Sequence, residues 1–127
     1  MKSFAVRTEE HTEFVNITRE VQAAVSELAI KNGVVTVFVP HTTAGVTINE
    51  NADPDVTDDI GSFLERAVPW QGKYKHSEGN AAAHVKASMV GSSAQVIVKD
   101  GRIQLGIWQA IYFCEFDGPR LRNVWVQ

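Results

Sequence analysis

Two of the chain's four histidines lie in the run His76-Ser77-Glu78-Gly79-Asn80-Ala81-Ala82-Ala83-His84, with a carboxylate, a glycine and an amide between them. An imidazole changes charge near neutral pH and ligates metals, so two of them beside a carboxylate suit proton transfer, anion binding or metal ligation. The flanking pattern says what must position them. Pro69-Trp70-Gln71-Gly72-Lys73-Tyr74-Lys75 reads as a loop rich in breakers and cations. From Asn80, a good N-cap residue, three alanines and the recurrence Ala83, Ala87, Val90 predict a helix that stops at Gly91. Asn80 and His84, four apart, then share one helix face, while His76 and Glu78 sit in the loop leading to its positive end. That end can hold an anion, and a loop histidine beside a helix histidine can hold a metal. A capped helix with one polar face is the plainer alternative, because no zinc signature of fixed spacing is matched.

A second group of polar residues surrounds His41. The β-branched run Val34 to Val39 predicts a buried strand ending at Pro40, which leaves His41 at a strand end. Thr42-Thr43-Ala44-Gly45 adds two hydroxyls on a small, flexible backbone, and Val46 to Glu50 alternates as a further strand that carries Asn49 and Glu50. Asp53 and Pro54 open a helix as cap and first residue, with Val56, Ile60, Phe63, Leu64 and Val68 as its apolar side. The acids Asp53, Asp55, Asp58 and Asp59 load its first turns with negative charge, part of which complements its dipole.

Elsewhere the reading is structural. Ser3 to Glu9 and Thr12 to Ile17 are expected as strands around a polar turn bearing a solvated His11. Thr18 is expected to cap a helix with Val21, Ala24, Val25 and Leu28 inside, and Gly33 to stop it. Gln95 to Lys99, Arg102 to Gly106, Trp108 to Phe116 and Arg120 to Gln127 read as four strands, with Asp100-Gly101 and Asp117-Gly118 as turns, hence an antiparallel C-terminal meander. Interleaved helices early and clustered strands late favour an α+β fold of packed mixed or antiparallel sheets with about three helices. Trp108 and Gln109 lie in a long strand, where packing competes with ligand contact, and Arg120 sits on a turn as a surface charge or an anion contact.

The whole chain sets bounds. Its 127 residues fit one domain, 1–127. Hydrophobic residues at 44% and charged ones at 21% suit a soluble globular protein, and the formal charge of −3 argues against a nucleic-acid partner. No apolar run is long enough for a membrane span, and Met1-Lys2-Ser3-Phe4 lacks the core of a signal peptide, so a cytoplasmic protein without a membrane partner is expected. The single cysteine, Cys114, excludes an internal disulfide and reads as a buried strand thiol.

Three blocks, HTTAGVTINENADPDV (41–56), HSEGNAAAHVKASMVG (76–91) and LGIWQAIYFCEFDGPR (105–120), resemble the YjbQ-like family, whose members are described as secondary thiamine-phosphate synthases. The resemblance implies an α+β fold of packed sheets, a homotrimer with sites near the subunit junctions, and the joining of hydroxymethylpyrimidine diphosphate to thiazole phosphate with release of pyrophosphate. In that reaction the attacking thiazole nitrogen carries no proton, so stabilising the departing charge matters more than a base. Arg120, Thr42, Thr43 and the amides of a helix start would bind phosphate, Trp108 would stack on the pyrimidine, and Asn49, Asn80 and Gln109 would add polar contacts. His41, Glu50, His76 and Glu78 supply acid–base capacity beyond what the reaction requires. His41, His76 and His84 form a candidate metal set for zinc, and magnesium is the usual companion of a diphosphate. The rival readings are a histidine-rich metal- or phosphate-binding module without that catalysis, and a metal-assisted hydrolase.

Overall fold

The computed structural model describes residues 1–127. In chain order the elements are β1 (Lys2–Arg7), β2 (Glu13–Asn16), α1 (Thr18–Glu27), β3 (Gly33–Phe38), β4 (Ala44–Glu50), α2 (Pro54–Ala67), α3 (Ala81–Val90), β5 (Ser93–Lys99), β6 (Arg102–Gln104), β7 (Gln109–Glu115) and β8 (Leu121–Val126). A five-stranded sheet runs β1-β8-β3-β5-β6 and a three-stranded sheet runs β2-β7-β4, with every ladder antiparallel. The fold is therefore α+β with three helices, as the element pattern implies. No helix is long and apolar enough to cross a membrane.

Period-two burial places Val35 and Val37 of β3, and Val96 and Val98 of β5, on the inner face of the large sheet. There they meet Ile111 and Phe113 of the small sheet, with α1 closing one side. The small sheet is covered on its other face too: Tyr112 and Cys114, with Phe116 just beyond β7, pack against Leu64 of α2 and Ala83 and Ala87 of α3. This double cover explains why β7 shows no polar alternation and is buried from Ala110 onward. Cys114 is fully buried, and burial pushes its thiol up to about 12, in keeping with a packing residue.

Several local expectations change in detail. β1 and β2 flank the polar turn but belong to different sheets. Thr18 does not cap α1; the Asn16 carboxamide oxygen accepts from the Thr18 N–H (3.0 Å) and hydroxyl (2.7 Å) instead. Helix α1 ends six residues before Gly33, with Ala29 in the left-handed region (φ 56°), and Gly33 opens β3. In α2, Asp53 caps as expected by accepting from the Asp55 N–H, yet Phe63 is exposed and Leu64 alone of the helix is fully buried. The four C-terminal strands form and serve both sheets. β5 and β6 pair through the Asp100-Gly101 turn, where both residues take positive φ, whereas β7 and β8, joined at Asp117-Gly118, are not ladder partners.

The outer face of the large sheet carries exposed Val34, Phe38, Ile97, Leu121 and Trp125. Phe38 and Trp125, opposite one another in the ladder, stack with ring centroids 5.6 Å apart.

Candidate functional site

After Phe38 the chain leaves the large sheet, and His41 turns its ring to the freed β8 backbone, where Nε2 accepts from the Asn123 N–H at 2.9 Å. In neutral His41 the proton is thus on Nδ1. Burial and, next, the Arg122 charge hold its pKa below the ordinary 6.5, so the ring is mainly uncharged at pH 7. His41 and Thr42 form one wall of a cavity of about 360 Å³, and His84 and Ser88 of α3 form the other. Its floor is Ala44, Ala87, Gly91 and Ser92, all small. Beside this floor β4 passes close to the end of α3, since a Cβ on Gly45 would lie 2.6 Å from the Gly91 carbonyl oxygen.

Helix α3 begins where the sequence predicts, but Asn80 does not use its side chain as a cap. Its Nδ2 donates to Asp117 Oδ2 (3.0 Å), and its buried Oδ1 has no partner in the chain. Arg120 grips the same residue, donating from Nε to the Asp117 carbonyl (2.8 Å) and from Nη2 to Oδ2 (3.1 Å). His84, one turn in, meets His76 edge-on with centroids 5.1 Å apart, and Glu78 Oε2 lies 3.9 Å from His76 Nε2. A second recess of about 330 Å³, lined by Tyr74, Lys75, His76, Ala81 and Val85, opens on this side. His84 borders both recesses and forms the ridge between them.

The expected site residues divide into two places. Thr42, His41, His84 and His76 gather around this ridge, and Thr43 sits buried beneath, accepting from Arg122 Nη2 at 2.8 Å. Asn49 and Glu50 end β4, paired with Ala110 and Gln109. Six strand steps of about 3.3 Å put Glu50 roughly 20 Å from Ala44. There Gln109 lines a different polar cavity with Asn16, Arg19 and Asn51, and Trp108 is exposed rather than packed in a strand. Within one chain the Glu50 group and the histidine group cannot act on one small ligand. Nor do the three histidines converge on one point: no group of three His, Cys, Asp or Glu side chains in the chain is placed to hold a metal ion. His41 stands apart because its Nε2 is spent on Asn123, which leaves two adjacent imidazoles at the ridge.

Sequence reasoning missed Ser88, Ser92 and Tyr74 as lining residues, and Arg122 and Glu115 as the buried charges behind the wall. Ser88 was accessible in principle, being one turn after His84; Arg122 and Glu115 carry no local signal, since strand alternation reads Glu115 as an end-of-strand acid. The helical burial pattern also hides Lys86, 1% exposed and bonded to Glu65 at 2.7 Å.

A family profile described as UPF0047 protein YjbQ-like matches residues 2–127. Among the similar proteins, the UPF0047 protein YugU of Bacillus subtilis is 49% identical over 100% of this chain and 97% of its own length. A UPF0047 protein of Methanocaldococcus jannaschii is 48% identical over 98% and 90%. Among solved structures, an uncharacterized conserved protein of the YjbQ/UPF0047 family from Clostridium acetobutylicum superposes with a TM-score of 0.97 at 52% identity, covering 100% and 98% of the two chains. A conserved hypothetical protein from Thermus thermophilus gives 0.93 at 42%, covering 100% and 98%. With the profile spanning the chain and such relatives matching over nearly their whole length, the chain belongs to the YjbQ-like UPF0047 family.

Proposed function

We propose that the paired recesses around His84 bind a phosphorylated heterocycle, and that the chain is a small transferase with thiamine-phosphate synthase-like activity. The observation that carries this reading is the division of labour across the ridge. One recess offers imidazole and hydroxyl groups from His41, Thr42, Ser88 and Ser92 over small floor residues, which suits the oxygens of a phosphate or diphosphate. The other presents Tyr74, Ala81 and Val85 with Lys75 at hand, which suits a flat ring joined to an anion. In the reaction the ring nitrogen of thiazole phosphate attacks the methylene carbon of the pyrimidine diphosphate. The carbon–oxygen bond breaks, and its electron pair leaves on pyrophosphate. The residues needed are donors aimed at that pyrophosphate: His41 through Nδ1–H, His84, and the hydroxyls.

Magnesium would be carried by the diphosphate more than by the chain, whose donor set at the ridge is two imidazoles and a carboxylate that is 74% exposed. Those two adjacent imidazoles favour a second reading, a two-histidine zinc-binding module without catalysis.

The test pairs calorimetry with an assay. Pyrophosphate should bind with and without magnesium, and the two thiamine precursors should yield thiamine phosphate and pyrophosphate. His84→Ala should melt within a degree or two of the parent, because the side chain is on the polar face of α3, while affinity falls about tenfold or more. Zinc binding without pyrophosphate binding would install the second reading, and neither would refute both.

A further inference from the structure

We propose that the buried Glu115–Arg122 pair is a positioning device for the candidate site, holding the His41–Thr43 turn against the cavity and fixing the His41 ring in one tautomer and one orientation. Glu115 ends β7 in the small sheet and Arg122 lies in β8 of the large one, so the pair ties the two sheets together behind the cavity wall. Both are in the interior, at 0% and 5% exposure.

The ties from this pair to the turn are three. Asn123, next to Arg122, donates its N–H to His41 Nε2 (2.9 Å). Phe116, next to Glu115, donates its N–H to the Thr43 carbonyl (3.2 Å). Arg122 itself donates from Nη2 to the Thr43 hydroxyl (2.8 Å). Thr42, held between these points, is left exposed toward the cavity.

The pair is itself held firmly. Arg122 engages Glu115 with both Nε and Nη2, Thr8 donates its hydroxyl to Oε1 (2.8 Å), and the Phe116 and Asp117 N–H groups both donate to Oε2 at 3.1 Å. A well-packed apolar pair commonly does as well or better for stability than a buried ion pair. It would supply no donor to Thr43 and no acceptor for the Asp117 N–H, and the Phe116 N–H, shared between Oε2 and the Thr43 carbonyl, would keep only the carbonyl. Placement of the turn is therefore what this arrangement accomplishes that an apolar one would not. The charged or titratable groups around His41 are Arg122 from β8, Glu115 from β7 and His84 across the cavity on α3.

The affinity arm of the test rests on the reading of the cavity as a phosphate site; the tautomer arm does not. Unliganded protein with nitrogen-15 histidine should show His41 in NMR as the Nδ1–H tautomer alone. Two variants probe the pair: Arg122→Lys, which keeps the charge and loses the fork, and Glu115→Gln with Arg122→Met, which removes both charges and keeps acceptors for the backbone. In each, both His41 tautomers should become populated and pyrophosphate affinity should fall about tenfold. If the double variant fails to fold, Arg122→Lys decides alone. A His41 ring that keeps its single tautomer in folded variants overturns the proposal, whatever happens to the melting temperature. If wild-type protein binds no pyrophosphate, the phosphate reading fails while the tautomer result still judges the clamp.

Discussion

Half-buried His41 and buried Glu115, both beside Arg122, make the fold sensitive to acid. His41 is held below 6.5 by burial and by Arg122, so the unfolded chain takes up more protons there as pH falls below that value, and stability declines. Burial alone would raise the Glu115 pKa, but the hydrogen bonds from Arg122 and Thr8 outweigh it and hold the carboxyl below its ordinary 4.5. Its contribution is present above 4.5 and lost as pH falls through the lower folded value. Glu65, held low by its hydrogen bond from Lys86, acts in the same direction. Thermal melts should show a shallow decline from pH 7 to 5, removed in His41→Gln, and a steeper one below pH 4.5. A midpoint that rises on acidification to pH 5 would contradict a His41 whose pKa is held low. Among these residues the sequence exposed the histidines by type and place, but not the pair behind them. Which strand acid meets which strand arginine depends on two sheets packing, and β7 and β8 give no local sign that they part company at Asp117-Gly118.

At the scale of elements, α3 meets the small sheet at one close crossing. The Val46 N–H of β4 donates to the Gly91 carbonyl (3.0 Å), and Gly45 beside it has no room for a methyl group. Gly45→Ala should therefore push α3 outward, costing about 1–3 kcal/mol as overpacking against backbone does. Denaturant unfolding gives the number; a loss under 0.5 kcal/mol would mean that the helix end yields freely. The starts of α2 and α3 are legible from Asp53-Pro54 and Asn80, the first because its capping bond is local and forms, the second in position only, since the Asn80 side chain turns to Asp117 instead. The mistaken use of Gly33 as the stop of α1 has the opposite origin: Ala29 took the left-handed position, and a glycine four residues later looked the better candidate. Trp108 misled for a similar reason, since the strand pattern continues through it while the observed β7 begins only at Gln109.

For the whole molecule, the exposed Val34, Phe38, Ile97, Leu121 and Trp125 make an apolar sheet face larger than scattered surface residues would, and a contact between copies would cover it. We expect the homotrimer that the family blocks suggest, so light scattering at micromolar concentration should give about three times the 14.0 kDa chain mass. Trp125→Ser with Phe38→Ser should lower that mass, and a parent at 14.0 kDa would end the expectation. Fold class was readable at this scale from the order of elements. The separation of Glu50 from the histidines was not, because sequence blocks say which residues belong together by family and not that β4 lies lengthwise between them.

The two residues that follow α3 couple parts that are otherwise separate. Gly91 accepts the amide of Val46 in the small sheet, and Ser92 accepts that of Val39, just past the end of β3 of the large one (2.7 Å). Both residues also form the cavity floor. A molecule resting on that floor would therefore slow the exchange of two amide hydrogens, one in β4 and one just past β3, and fraying of the last turn of α3 would release both together. Occupancy of the cavity would then be reported in deuterium uptake on two separate chain segments beside it, without any helix or strand having to move.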